Sequence, residues 1–238
     1  MKRVETELRR TASEALFVVK IDEPAFASAL SVLAFEVANG EFTRRFPRET
    51  PDVERIFARF ERHMLELLEQ TAGLCQVPWA DALGETASRL DAAGAEWFLA
   101  GSAALAVRGI DIHPRDIDIV ASEHRLVSDA LADTLIEPPS YDSGHGWIAA
   151  WFGRAFLGAR VEWVADVYDD VDDRAGPCEF GPAVAARLDH CRWNGRDLRL
   201  PPLDAQLAVN ERRGLVDRVR AIRSFANETA VELGPGLR

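Results

Sequence analysis

Asp116 and Asp118 stand two residues apart in the run Asp116-Ile117-Asp118-Ile119-Val120. A strand alternates its side chains with a period of two, so this spacing puts both carboxylates on one face while the isoleucines anchor the other. Two like charges that close repel unless a cation lies between them. Carboxylate oxygens are hard donors and suit Mg²⁺. Upstream, the apolar run Trp97-Phe98-Leu99-Ala100 is broken by Gly101-Ser102, and Ser102 to Arg108 reads as a helix ended by Gly109. A strand that turns at once into a helix presents unpaired N–H groups and a positive dipole end, which suits a phosphate. Gly101 lets the backbone approach such an anion, and the Ser102 hydroxyl adds a hydrogen bond. Either feature alone is common, as an ordinary tight turn or a solvent-facing rim. Together they are sharper, because the chain between them has room for one helix and a return strand. That topology brings cradle and acids to one end of a sheet.

LAGSAALAVRG followed by RDIDIV resembles the nucleotidyltransferase fold of the DNA polymerase beta superfamily. The wording is most similar to the small bacterial minimal and antibiotic-modifying members, through Ala104-Leu105 and Arg108-Gly109 ahead of the acids. The likeness spans about Trp79 to Val167 and reaches the C-terminal helix loosely. It implies a nucleoside triphosphate substrate, with ATP the first choice, and two Mg²⁺ ions held by Asp116, Asp118 and a third acid on a later strand. Glu162, between Val161 and Trp163, is the candidate; Asp166, on the same face, is the runner-up. An acid in that apolar setting is costly unless it is used or paired, and pairing with Arg160 or Arg154 is the structural alternative. Gly101, Ser102, Arg115 and Arg213 form the nucleotide-binding set that the resemblance implies. Relatives often carry Lys in the C-terminal helix, where this chain has Asn210 beside Arg212 and Arg213. The residue two before the acids, often Ser or Thr, is Pro114. The reaction implied is attack by an acceptor hydroxyl on the α-phosphorus, releasing pyrophosphate. A small-molecule acceptor is expected. The alternatives are transfer to protein or RNA, as in toxin–antitoxin members, and a non-catalytic nucleotide-binding protein on the same fold.

Composition bounds the partners. The 238 residues carry 28 Lys and Arg against 39 Asp and Glu, a formal charge of −11. That balance argues against an extended nucleic-acid surface, which needs clustered cations. No apolar run approaches the roughly 20 residues of a membrane span. Met1-Lys2-Arg3 leads into ETELRR rather than an apolar segment, so the expectation is a cytoplasmic protein. Cys75, Cys178 and Cys191 have neither zinc-ligand nor disulfide-framework spacing. The histidines make no competing site, although His113 and His145 are expected near the cleft.

The positioning elements read as α+β, or α/β-like, with a mixed sheet flanked by helices. Residues 1–75 are expected to form a helical N-terminal extension and 76–238 the catalytic domain. Leu16 to Ile21 is a short strand, and Ala25 to Ala38 a helix stopped by Asn39-Gly40. Thr50 and Pro51 open a helix whose stripe runs through Val53, Ile56, Phe57, Phe60, Met64, Leu67 and Leu68. This apolar surface must pack on the core or on a second copy, so a homodimer through the N-terminal helices is open. Trp79 to Ala93 is a further helix, Ile110 to Val120 a strand, and Ser122 caps a helix reaching Leu135 before Pro138-Pro139. Trp147–Phe152 and Ala159–Val167 pair as a hairpin, as do His190–Trp193 and Arg196–Leu200 across Asn194-Gly195. One last helix runs from Pro202 through Ile222.

Overall fold

Glu5 and Glu7 face solvent while Thr6 and Leu8 turn inward, and that alternation makes the first strand, β1 (Val4–Arg10). The computed structural model describes residues 4–142 and 147–232. β2 (Glu14–Ile21) follows, then helix α1 (Ala25–Val32), β3 (Glu36–Ala38), β4 (Glu41–Pro47) and helix α2 (Val53–Thr71). The strands form an antiparallel sheet in the order β1-β2-β4-β3. The helical N-terminal extension is therefore corrected: the region is sheet and helix. α1 stops at Val32 rather than Ala38. Asn39 and Gly40, at φ 52° and 80°, turn a hairpin that pairs Ala38 with Glu41. Thr50 does not cap α2; its hydroxyl donates to the Pro47 carbonyl, and Asp52, at φ 52°, precedes the helix.

The α2 stripe is buried as its periodicity requires, from Val53 to Leu68. Phe17 of β2 lies at its centre, with ring centroids 4.9 Å from Phe46, 5.0 Å from Phe57 and 5.0 Å from Phe60. Side chains of this chain cover the stripe, so it offers no face for a second copy. Truncating so central a ring removes apolar burial and leaves a cavity, so Phe17→Ala should cost about 3–5 kcal/mol in a urea melt.

After α2 come α3 (Trp79–Ala92), β5 (Trp97–Ala100), α4 (Gly101–Val107), β6 (Asp116–Ala121), α5 (His124–Ala130), β7 (Leu135–Tyr141), β8 (Ala149–Phe156) and β9 (Arg160–Val167). The sheet order is β5-β6-β9-β8-β7, with β6 and β9 parallel and the other neighbours antiparallel. The mixed α+β architecture stands as read. Three elements differ. Residues 110–115 are not strand; pairing starts at Asp116. α5 ends at Ala130, and Leu135 opens a strand rather than closing a helix. Pro138 and Pro139 lie inside β7, at the sheet's edge and amid two register shifts, where a missing N–H is tolerated.

The remaining elements are α6 (Val171–Ala175), α7 (Pro182–Ala185), the hairpin β10 (Asp189–Trp193) and β11 (Arg196–Leu200), α8 (Leu203–Arg212) and α9 (Val216–Glu232). Asn194 and Gly195 turn the hairpin at φ 46° and 80°. The expected last helix is two, broken at Gly214 with φ 66°. No helix among the described residues is long and apolar enough to cross a membrane.

α2 joins the two sheets. Arg59 donates to the carbonyls of Leu135 (2.8 Å) and Ala132 (3.0 Å), and Gln70 to that of Gly158 (2.7 Å). One set of buried apolar side chains continues from Phe17 through Leu67 to Ile119 and Trp163.

Candidate metal and nucleotide site

Ile117 and Ile119 are fully buried on one face of β6, which leaves Asp116 and Asp118 on the other. Parallel pairing of β6 with β9 sets Asp118 opposite Glu162 and Asp116 opposite Arg160. One carboxylate oxygen from each of Asp116, Asp118 and Glu162 lies within 4.8 Å of the others. Antiparallel pairing with β5 sets Ala100 opposite Asp118, so the strand-to-helix turn at Gly101 abuts the acids. Gly101 has φ +63°, and a Cβ there would overlap the Asp118 carboxylate. Glycine is required twice at this position, for the left-handed backbone and for the close approach.

Two buried arginines press on the trio. Arg160 pairs with Oδ2 of Asp116 and lies 3.5 Å from Oε1 of Glu162. Arg154 sets Nε and Nη2 on the same Oε1, each at 2.7 Å. Every one of these contacts with Glu162 falls on one oxygen. Glu162 thus meets both readings of the sequence: it pairs with Arg154 and Arg160, and it stands with the aspartates. Burial opposes its charge, but the two guanidiniums hold it below its ordinary range. Asp118 goes the other way. Burial, and then the like charges of Asp116, Glu162 and Glu179, push it well above its ordinary value.

A cleft of ≈ 410 Å³ opens over this face, lined by Asp118, Glu162, Glu179, Arg212, Arg213, Trp147 and Phe152 among others. Glu179 is 3% exposed. It accepts the Gly101 N–H at 3.0 Å and an Nε2 hydrogen of Gln206 at 3.1 Å. Burial raises its pKa. The reading of the sequence missed Glu179, which follows no hydrophobic period; only the flanking Pro177 and Gly181-Pro182 mark a tightly turned segment. It also missed Glu137, hidden between Ile136 and Pro138 in a segment read as the end of a helix.

The other expected residues divide. Ser102 is buried in the first turn of α4. Arg213 lines the cleft. Arg115 does not: it is exposed, and its Nη1 donates to the Thr71 carbonyl at the end of α2, against Gly73. Asn210 is buried and donates Nδ2 to the Gln206 carbonyl at 2.7 Å. Asp166 is away from the trio and pairs with Nδ1 of His124 at 3.1 Å. His113 is exposed; His145 lies outside the described residues. Among the described residues Cys75, Cys178 and Cys191 form no disulfide.

As a cation site the trio fits on donor chemistry: hard oxygens, closely gathered, with a repulsion at Asp118 that a divalent cation would relieve. The two arginines lower the negative charge that the trio presents to such an ion.

No family model matches this chain, and no curated protein does. Among solved structures, the chain is similar to a candidate nucleotidyltransferase from Thermotoga maritima, at 20% identity and a TM-score of 0.46, over 62% of this chain and 91% of that one. It is also similar to an antigenic nucleotidyltransferase-like protein from Paracoccidioides brasiliensis, at 14% identity and a TM-score of 0.36, over 60% of this chain and 72% of that one.

Proposed function

We propose that the protein is a Mg²⁺-dependent nucleotidyltransferase that moves a nucleoside monophosphate from a nucleoside triphosphate, ATP first, to the hydroxyl of a small molecule. The observation that carries the reading is the junction of Gly101 with Asp118 beside the carboxylates of Asp116 and Glu162. Asp116, Asp118 and Glu162 would hold the metal, which when bound neutralises charge on the phosphates and polarises the acceptor oxygen. Gly101 and Ser102 are assigned to the phosphates, with Arg213 on the rim of the cleft; Arg115 drops out of the set. Glu162, with its charge fixed by two guanidiniums, is a poor proton acceptor and serves to place the site. Asp118 is the acid that gains most from the metal, because a bound cation offsets the burial and like charges that raise its pKa without one.

A second reading is a nucleotide-binding protein without turnover. It draws on Asn210, which stands where relatives often carry Lys and is buried, with its amide turned to the Gln206 carbonyl. Incubation with each labelled triphosphate, Mg²⁺ and an acceptor panel separates the two. Pyrophosphate release that needs both metal and acceptor is the expected result. Nucleotide binding with no release across the panel would favour the second reading. Labelled protein or RNA would move the acceptor to the toxin–antitoxin alternative.

A further inference from the structure

Arg154 poses a problem for a cation site. It is 2% exposed and cannot turn to solvent, and its positive charge bears on Glu162. The other side of its guanidinium answers that charge. Nη1 of Arg154 pairs with Glu137 of β7, which is itself 2% exposed, and donates to the Leu33 carbonyl at 3.1 Å. Glu137 in turn accepts Nε of Arg44, from β4, at 3.3 Å. Arg44 is 23% exposed, so water screens its charge in part. The result is a line of alternating charge, Glu162–Arg154–Glu137–Arg44, running from the acid trio into the N-terminal sheet. Its two middle members are sealed from solvent.

We propose that Glu137 is a positioning residue for the metal site. It holds the guanidinium of Arg154 against a single oxygen of Glu162, and it cancels enough of that arginine's charge for Asp116, Asp118 and Glu162 to retain a divalent cation. Arg44 opposes it weakly from the N-terminal sheet. This inference rests on reading the trio as a metal site. A purely structural ion pair would serve folding and leave cation affinity alone. A positioning role predicts effects whose sign follows the charge removed.

The test titrates Mn²⁺ alone into the full-length protein, without nucleotide, and reads free Mn²⁺ by its electron paramagnetic resonance signal. Wild type should bind, and Asp118→Asn should not. Glu137→Gln keeps the shape and removes the charge; it should weaken binding by roughly 10- to 100-fold, the range for groups that orient metal ligands. Arg44→Gln removes a positive charge and should tighten binding by about two- to fivefold. Unchanged affinity in Glu137→Gln overturns the proposal, as does parallel weakening in both variants with matching losses of melting temperature. If Glu137→Gln does not fold, Arg44→Gln decides: tighter binding supports the proposal, and unchanged or weaker binding overturns it. A wild type that fails to bind Mn²⁺, or an Asp118→Asn variant that binds as well, defeats the metal reading itself and the inference with it.

Discussion

Asp118→Asn should lower pyrophosphate release by about 10³-fold or more, a loss of at least roughly 4 kcal/mol of transition-state stabilisation. The same change should raise the metal-free melting temperature at neutral pH by roughly 2–4 °C, the shift about 1 kcal/mol makes in a chain of this size. Asp118 is pushed well above its ordinary value by burial and then by three neighbouring acids. Between the ordinary aspartate range and that raised value, the folded chain keeps a proton that the unfolded chain has released. Stability without metal therefore falls as pH rises through this window. Asparagine does not titrate, so the variant's melting temperature should stay flatter there, and the gap between the two proteins should widen with pH. Saturating Mg²⁺ should close it by stabilising the wild type alone. Melting curves from pH 4 to 8, with and without metal, check the sign. A variant that melts lower than wild type at every pH would mean that Asp118 is a structural partner and not a strained acid.

Glu162→Gln should also abolish turnover but move stability the other way. Glu162 faces Asp118 across the parallel pair, yet among the described residues it is bonded where Asp118 is not: Arg154 and Arg160 both bear on its Oε1. Removing that charge leaves two buried guanidiniums short of a counter-ion. The cost should be near 3 kcal/mol, the lower end for breaking a buried pair, because Glu162 keeps some exposure. Adjacent carboxylates in one cluster would then give opposite shifts in melting temperature. Urea melts of both variants, without metal, supply the comparison. Equal shifts would show that the arginines do not divide their charge between the acids as their contacts indicate.

The legible part of the molecule was the part governed by local rules. The period of two at Asp116 and Asp118, the break at Gly101 and the 3.6-residue stripe of α2 each depend on neighbours a few residues away, and each is where the residues imply. The failures came where a local signal has two meanings. Asn-Gly ends a helix or turns a hairpin; the surrounding pattern suggests a turn at 194–195 and a stop at 39–40, although both pairs adopt closely similar positive φ values. The apolar stretch 25–38 fits a helix by composition, and only pairing with β4 makes its last three residues a strand. Pro138 and Pro139 argue against a central strand but not against an edge, and edge position is a property of the whole sheet. Glu137 and Glu179 were invisible for the same reason. Their partners, Arg154 and Gly101, lie 17 and 78 positions away, and no spacing rule connects them.

The two prolines of β7 carry a further consequence for how copies of this protein meet. A sheet's last strand normally offers a free row of donors and acceptors on which a foreign strand can template itself. Here the row is spoiled from within. Pro138 and Pro139 have no N–H to donate, two register shifts interrupt the pairing, and Arg59 occupies the Leu135 carbonyl. At that end of the folded mixed sheet, a foreign strand meets an interrupted row on which to pair.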